Sequence, residues 1–410
     1  MKPSVFRVAA CCFLAIWATS TLAFAEAPPQ SAKAADLPAS VTPSDYLVLP
    51  DVGQYGRLPL QHDAVEAQIV VGTWKDPSAG ETVKTPDGKL SMWSAVKAGD
   101  DGTLVTEKLR GGYALTTFDS TAERVMMLDA TGDAMVYVNG EPHAGDPYNL
   151  GWLRLPVMIH KGKNTLLFHL GADKLKVRLA APEKAVFFSD KDGTLPTLVR
   201  GDNKPSWVWA AVPIINATRN WIDDARIECR VDDGEPRPTP VAPLAPLSVR
   251  KVAFQIPTDG KTSNSDAHVH VRLVSTENSN ANSNVKTNDK ALAEADLTLK
   301  RVGPHDIQVR TFHSRIDGSV QSYAVLPAAE VAPSVQTSST AGATPSSNTN
   351  PNTGLIITLH DAGISCQQHI AQCKPKTWAH VLAPQGRRSF GFDWEAWSEE
   401  DVFEALTDAR

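Results

Sequence analysis

Cysteine, clustered positive charge and long apolar runs are all scarce in this sequence, and each scarcity removes a class of protein. Of five cysteines in 410 residues, Cys11 and Cys12 fall in the first 25. The other three, Cys229, Cys366 and Cys373, do not have zinc-site spacing. Lysine and arginine total 40 against 46 acidic residues, a formal net charge of −6, and no basic stripe is present. That excludes a nucleic-acid footprint. Beyond the N-terminus no segment reaches the ~18 apolar residues of a membrane span, so the mature chain is expected to be soluble and not membrane-spanning. No motif calls for a cofactor.

The N-terminus reads as an export signal. Lys2 and Arg7 form a positive start, Val8 to Trp17 an apolar run, and Ala23-Phe24-Ala25 a small-x-small cleavage site. Cleavage after Ala25 sends the chain to a secreted or periplasmic location. Val8-Ala9-Ala10-Cys11 looks like a lipoprotein box but precedes the apolar run that such a box should follow. Residues 26–42 are rich in Pro, Ala and Ser and read as a linker.

From 43 to 190, short strand-like runs alternate with Gly, Asp, Asn and Pro, among them 113-YALTTF-118, 124-RVMMLDA-130, 134-AMVYVNG-140 and 164-NTLLFHL-170. Strands at such spacing predict a β sandwich or jelly roll. Asn139-Gly140 supplies the positive-φ pair of a tight hairpin. With Gly145-Asp146-Pro147-Tyr148, Leu155-Pro156-Val157 and Gly162-Lys163-Asn164, the run 132–170 resembles the galactose-binding-like jelly rolls appended to secreted bacterial hydrolases. Residues 203–300 form a second β region, read as an immunoglobulin- or fibronectin-like sandwich. Its strands include 207-WVWAAVPIIN-216 and 225-ARIECRV-231, with a proline-rich link at 235–246 and a polar tract at 275–290 read as a mobile loop.

The third region, 303–410, opens with two alternating strands around Asp317-Gly318. A Ser/Thr/Asn/Pro tract at 333–353 reads as a disordered insert. Leu355 to Leu359 is a continuous apolar run, the pattern of a strand buried on both faces. A short helix is expected within 367–376, a second buried strand at 378–388 and a helix at 398–410. Ser398 and Asp401 match the capping pattern of that last helix.

Several blocks here resemble secreted bacterial prolyl-oligopeptidase-like serine hydrolases: Ile316-Asp317-Gly318-Ser319-Val320-Gln321, Leu359-His360, Trp378-Ala379-His380-Val381, and Arg387-Arg388 with Phe390-Gly391-Phe392-Asp393-Trp394-Glu395 and Trp397. The resemblance implies one or two β modules ahead of an α/β-hydrolase domain, and peptide or ester hydrolysis by acyl transfer from a Ser-Asp-His triad. It places His360, Asp361, Ala362 and Gly363 on the oxyanion loop, with Asp361 standing where the family usually has glycine. The nucleophile motif G-x-S-x-G occurs nowhere in the chain. The expectation is a domain shortened before its nucleophile strand and inactive by itself. The competing class is a non-catalytic protein whose β modules hold a glycan or a cell-envelope partner.

The remaining candidates carry two readings each. His360 either donates into a site or holds its loop. Arg387 and Arg388 pair a substrate carboxylate or a local acid such as Asp393 or Glu395. Trp394 and Trp397 pack as core or line a cleft. Tyr148 and Trp152 are glycan-stacking candidates on a jelly-roll loop, whereas Tyr137 is expected in the core. Cys366 and Cys373 bridge in an oxidising compartment or stand as free thiols, and Cys229 is expected to be a small buried hydrophobe. His268 and His270 share a strand face with Arg272, and a cation among the ligands disfavours a metal there.

Overall fold

The computed structural model describes residues 40–54, 62–105, 109–202, 204–275, 290–330, 353–361, 363–387, 394–395 and 397–410. The export signal, Ala362, Arg388 and nearly all of the 26–42 linker, of the polar tract and of the insert lie outside the described residues.

The first module is jelly-roll-like. Its strands are β1 (Asp45–Leu49), β2 (Tyr113–Ser120), β3 (Arg124–Thr131), β4 (Asp133–Val138), β5 (Arg154–Ile159), β6 (Gly162–Leu170) and β7 (Lys174–Ala180), with helix α1 (Ala64–Val71) after β1. A six-stranded sheet runs Glu141–Ala144, β4, β6, β2, β1, Ser94–Lys97. The second sheet runs β7, β3, β5, and Ser40–Val41 and Thr103–Val105 share the outer edge of β7. The last residues of the expected linker are therefore sheet. Strand alternation supplies the core: Met126, Leu128, Val136, Val138, Leu166 and Phe168 are all buried in one cluster. Asn139 and Gly140 have φ of 52° and 87°, the two left-handed residues expected between β4 and its hairpin partner. The Asn139 side chain then donates to the buried Asn164 Oδ1 at 2.9 Å, locking the turn to the start of β6.

The second module is a sandwich of β8 (Val186–Phe188), β9 (Trp207–Asn216), β10 (Ala225–Val231), β11 (Arg237–Pro240), β12 (Ser248–Pro257), β13 (Ala267–Ser275) and β14 (Lys290–Leu299). The sheet β8–β9–β12 faces the sheet β11–β10–β13–β14. In β10, Ala225, Ile227, Cys229 and Val231 point inward while the charged residues between them do not. On β13, Val269, Val271 and Leu273 are buried, leaving His270 to pair with Asp296 at 2.8 Å and Arg272 with Glu294 at 2.9 Å. The strand β11 lies inside the proline-rich stretch that reads as a linker.

β9 organises the molecule because both of its faces are used. Ala210, Val212 and Ile214 enter the sandwich core. On the opposite face, Ile215 packs with Met127 of the jelly roll, and Trp209 packs against His313 of the third module, the rings tilted with centroids 4.8 Å apart. Fully burying a side chain such as Met127 or Ile215 contributes roughly 1.5–3 kcal/mol. The modules are therefore docked by apolar contact, and the spaces between them are pre-formed.

The third module is a mixed sheet of β15 (Gln308–His313), β16 (Val320–Leu326), β17 (Gly354–Ile357) and β18 (Ala379–Pro384), in the order β15–β16–β18–β17. Only the pair β17–β18 is parallel. Helix α2 (Cys366–Ile370) crosses between them and packs on Ala324, Leu326, Val381 and Ala383. Helix α3 (Trp397–Ala409) packs on Tyr323, Val325 and Leu382, whose alternation places it on the other face. β17 is parallel but not buried on both faces. It is an edge strand whose Ile356 meets the α2 cluster, while Leu355 and Ile357 stay 41% and 39% exposed. Among the described residues no helix is long and apolar enough to cross a membrane.

Candidate functional site

The loops after β17 and β18 are tied together by the residues singled out as an oxyanion loop. His360 is buried, its Nδ1 lying 3.0 Å from the Asp361 carbonyl and its Nε2 3.2 Å from the Gln385 carbonyl. Trp394 donates from Nε1 to the His360 carbonyl at 2.9 Å and packs edge-on against the imidazole. His360 therefore holds its loop. Asp361 is exposed, and Gly363 takes φ +88°, a conformation that side chains rarely adopt. Ser365 begins α2 through a capping box with Gln368, and the Gln385 amide oxygen accepts from Cys366 N at 3.1 Å.

A second tie fixes the β18 loop to α3. Ser398 Oγ donates to the Gly386 carbonyl at 2.8 Å, and Asp401 Oδ2 accepts from Gly386 N at 2.9 Å. These two side chains clamp Gly386 and do not cap their own helix as their spacing implies, because α3 starts one residue earlier. Burial pushes the Asp401 carboxyl up to about 6, against the pull of the Gly386 N–H and Arg387. Arg387 is committed to the same knot. Its guanidinium pairs with Asp317 at 2.7 Å, donates to Ser314 Oγ at 2.6 Å and pairs with Glu404. Partial burial works against ionisation of Asp317, but the Ser319 donors and Arg387 outweigh it and hold the carboxyl down to about 2. The acids that Arg387 finds are thus on the β15–β16 turn and α3, so its charge is not free for a substrate, and Asp393 lies outside the described residues.

Beside these loops lies a cleft of about 500 Å³ made by all three modules. Its floor is the outer face of the β8–β9–β12 sheet, where the paired Ala211 and Ala253 leave room above the backbone. Trp152 of the jelly roll stands on one side, with the Lys251–Asp192 ion pair (3.0 Å) beside it. Opposite are Ser319, Gln321, Ser365, Gln367 and Gln385. An aromatic side chain lining the same cleft as hydroxyls and amides suits a neutral ligand with several hydrogen-bonding groups. Ser319 Oγ donates at 2.6 Å to Asp317, a carboxylate that is a weak base because it is held down to about 2, and Ser365 Oγ accepts from Gln368 N, so neither hydroxyl is set up as an activated nucleophile.

The candidates separate accordingly. Trp152 and Arg387 reach the cleft, whereas Tyr148 is 62% exposed and is not among its lining residues. Trp394 is half-buried against His360, and Trp397 is 56% exposed with the Arg387 guanidinium 5.6 Å from its ring centroid, so Trp397 is not core. Tyr137 and Cys229 are buried as expected. Cys366 and Cys373 are both free thiols, Cys366 inside the α2 core with its thiol pushed up to about 12 by burial. Among the described residues no cluster of three or more His, Cys, Asp or Glu is placed to hold a metal. Asp192, Lys251 and Gln385 were not singled out from sequence, since nothing local marks residues that only module docking brings together.

No protein-family model matches the chain, and no curated protein does. Among solved structures, it aligns with the adhesin domain of Epf from Streptococcus pyogenes, at 9% identity over 65% of this chain and 97% of that one. The TM-score of that match is 0.15, too low to bear on fold or ligand.

Proposed function

We propose that this chain is the exported, ligand-binding assembly of a hydrolase resembling the secreted prolyl-oligopeptidase-like enzymes, with the three-module cleft receiving a peptide or ester. One observation carries the reading. The parallel β17–α2–β18 unit lies in a mixed sheet with helices on opposite faces, and loop residues after both strands (Ser365, Gln385, Arg387) line the cleft. Ligands of open α/β sheets bind outside the carboxyl ends of such strands. The β modules ahead of that sheet match the layout the resemblance implies.

The same reading denies turnover to the polypeptide alone. Acyl transfer needs an activated nucleophile and fixed donors for the oxyanion. No elbow serine occurs in the sequence, and among the described residues no histidine lines the cleft. Intact-mass analysis after incubation with a fluorophosphonate probe tests this. The unmodified mass is expected, and a stoichiometric serine adduct overturns the reading.

A further inference from the structure

A second concavity, of about 380 Å³, lies where β9 meets β15, with Val309 forming part of both this wall and that of the cleft. Its base is a pair of indoles. Trp207 and Trp209 alternate to the outer face of β9 and meet edge-to-face with centroids 5.1 Å apart. Each ring is braced: the Arg237 guanidinium sits 5.3 Å from the Trp207 ring centroid, and the His313 ring 4.8 Å from that of Trp209. Thr311 Oγ1 donates to the Trp209 carbonyl, so the wall from the third module is pinned to the floor.

The rim is polar and balanced in charge. Asp202 and Lys204 are exposed on one side, Arg310 and Asp408 on the other. Asp408 accepts from Tyr323 O–H through Oδ2 at 2.8 Å, leaving Oδ1 as an acceptor. Arg310 spends Nε and one terminal nitrogen on Gln308 Oε1 and keeps further N–H donors. The fifth charged lining residue, Asp259, is taken by Arg301.

Two braced indoles set edge-to-face, in one pocket with a carboxylate and a guanidinium, select for a particular chemistry. The indoles cover an apolar ring face, and the planar charged groups each engage adjacent hydroxyls. A charged ligand would leave one sign of the rim unmatched. A proline-rich peptide stacks on indoles but offers no adjacent hydroxyls to Arg310 and Asp408. We propose that the Trp207–Trp209 pocket holds a neutral pyranose unit of a glycan, its ring face on the indoles and its hydroxyls on Arg310 and Asp408. The site is separate from the cleft and does not depend on the hydrolase reading.

Titration of the full chain with maltose, cellobiose and lactose, by calorimetry and saturation-transfer NMR, tests it. At least one of these neutral disaccharides is expected to bind, with an affinity insensitive to added salt and at least tenfold weaker in Trp207→Ala. Removing an indole from β9 can unfold the module, so the exposed Arg310→Lys and Asp408→Asn serve as second variants, each expected to weaken binding severalfold with an unchanged melting curve. Trp152→Ala, in the cleft, is expected to leave sugar binding intact. Failure of all three sugars to bind, binding that survives both exposed variants, or binding of a polyproline peptide in their place overturns the proposal.

Discussion

Replacing Asp401 by asparagine should change how stability depends on pH, in a direction fixed by the geometry around Gly386. The carboxyl is wholly buried, and burial pushes it up to about 6 from an ordinary 3.8. Below the ordinary value both folded and unfolded chains carry it protonated. Between the two values the folded chain binds the extra proton, so its contribution to stability falls as pH rises toward about 6. Two pH units at about 1.4 kcal/mol each give a loss of about 3 kcal/mol, complete near neutrality. The amide of Asp401→Asn would keep an oxygen for the Gly386 N–H and remove the charge. Titrating groups elsewhere, including buried Asp133, are common to both proteins and cancel in the difference. Urea denaturation followed by tryptophan fluorescence, at about pH 4 and about pH 7.5, reads the difference directly. D401N should gain on the wild type by about 2 kcal/mol between these conditions, since part of the loss has already occurred at pH 4. A constant difference, or one that grows toward acid, would refute the account of the Gly386 clamp.

Arg301→Met should cost roughly 3–5 kcal/mol, because its buried guanidinium pairs with Asp232 at 2.7 Å and with Asp259, and both carboxylates would lose their cation; urea midpoints check this. Native alkylation with peptide mapping should mark Cys373 and spare Cys229 and Cys366, whose thiols are pushed up to about 12 by burial. A native adduct on Cys366, or a Cys366–Cys373 crosslink in the unreduced digest, would contradict that arrangement. Gly132→Ala should prevent native packing of the jelly roll: its φ is +97° and an added Cβ would collide with the Lys174 carbonyl. Expression with a normal melting curve would count against this.

What was legible in the sequence is what alternation and turn chemistry write locally. Trp207–Asn216 and Ala225–Val231 are strands at the bounds their patterns predict, and Asn139-Gly140 turns as its dipeptide requires. Helix α1 was not foreseen. Its run AVEAQIVV has no apolar stripe, and it is started instead by the Asp63 side chain accepting from Val65 N and Glu66 N. β11 was hidden by its prolines, which an outer strand tolerates. The apolar run at Leu355 predicts a strand buried on both faces, but it forms an edge strand, since no further strand among the described residues covers it. At the candidate site the sequence left His360 and Arg387 with two readings each; His360 holds its loop and Arg387 is salt-bridged, but to partners that only tertiary packing supplies. Arg387 meets Asp317 from 70 positions away, and Ala211 and Ala253 become a cleft floor only once β9 and β12 pair. The Trp207–Trp209 pair was visible as a strand, and its outward face acquired meaning only when β15 docked against it.

The claim that the three-module cleft binds a peptide-type ligand without turning it over is tested most directly by one titration. An N-acylated prolyl p-nitroanilide is added to the wild type and to Ala253→Phe, which fills the cleft from its floor, with binding and nitroaniline release followed together. The account predicts saturable binding to the wild type, its loss in Ala253→Phe, and no release above the uncatalysed rate. Release by the purified chain, or binding that is unchanged by filling the cleft, would contradict it.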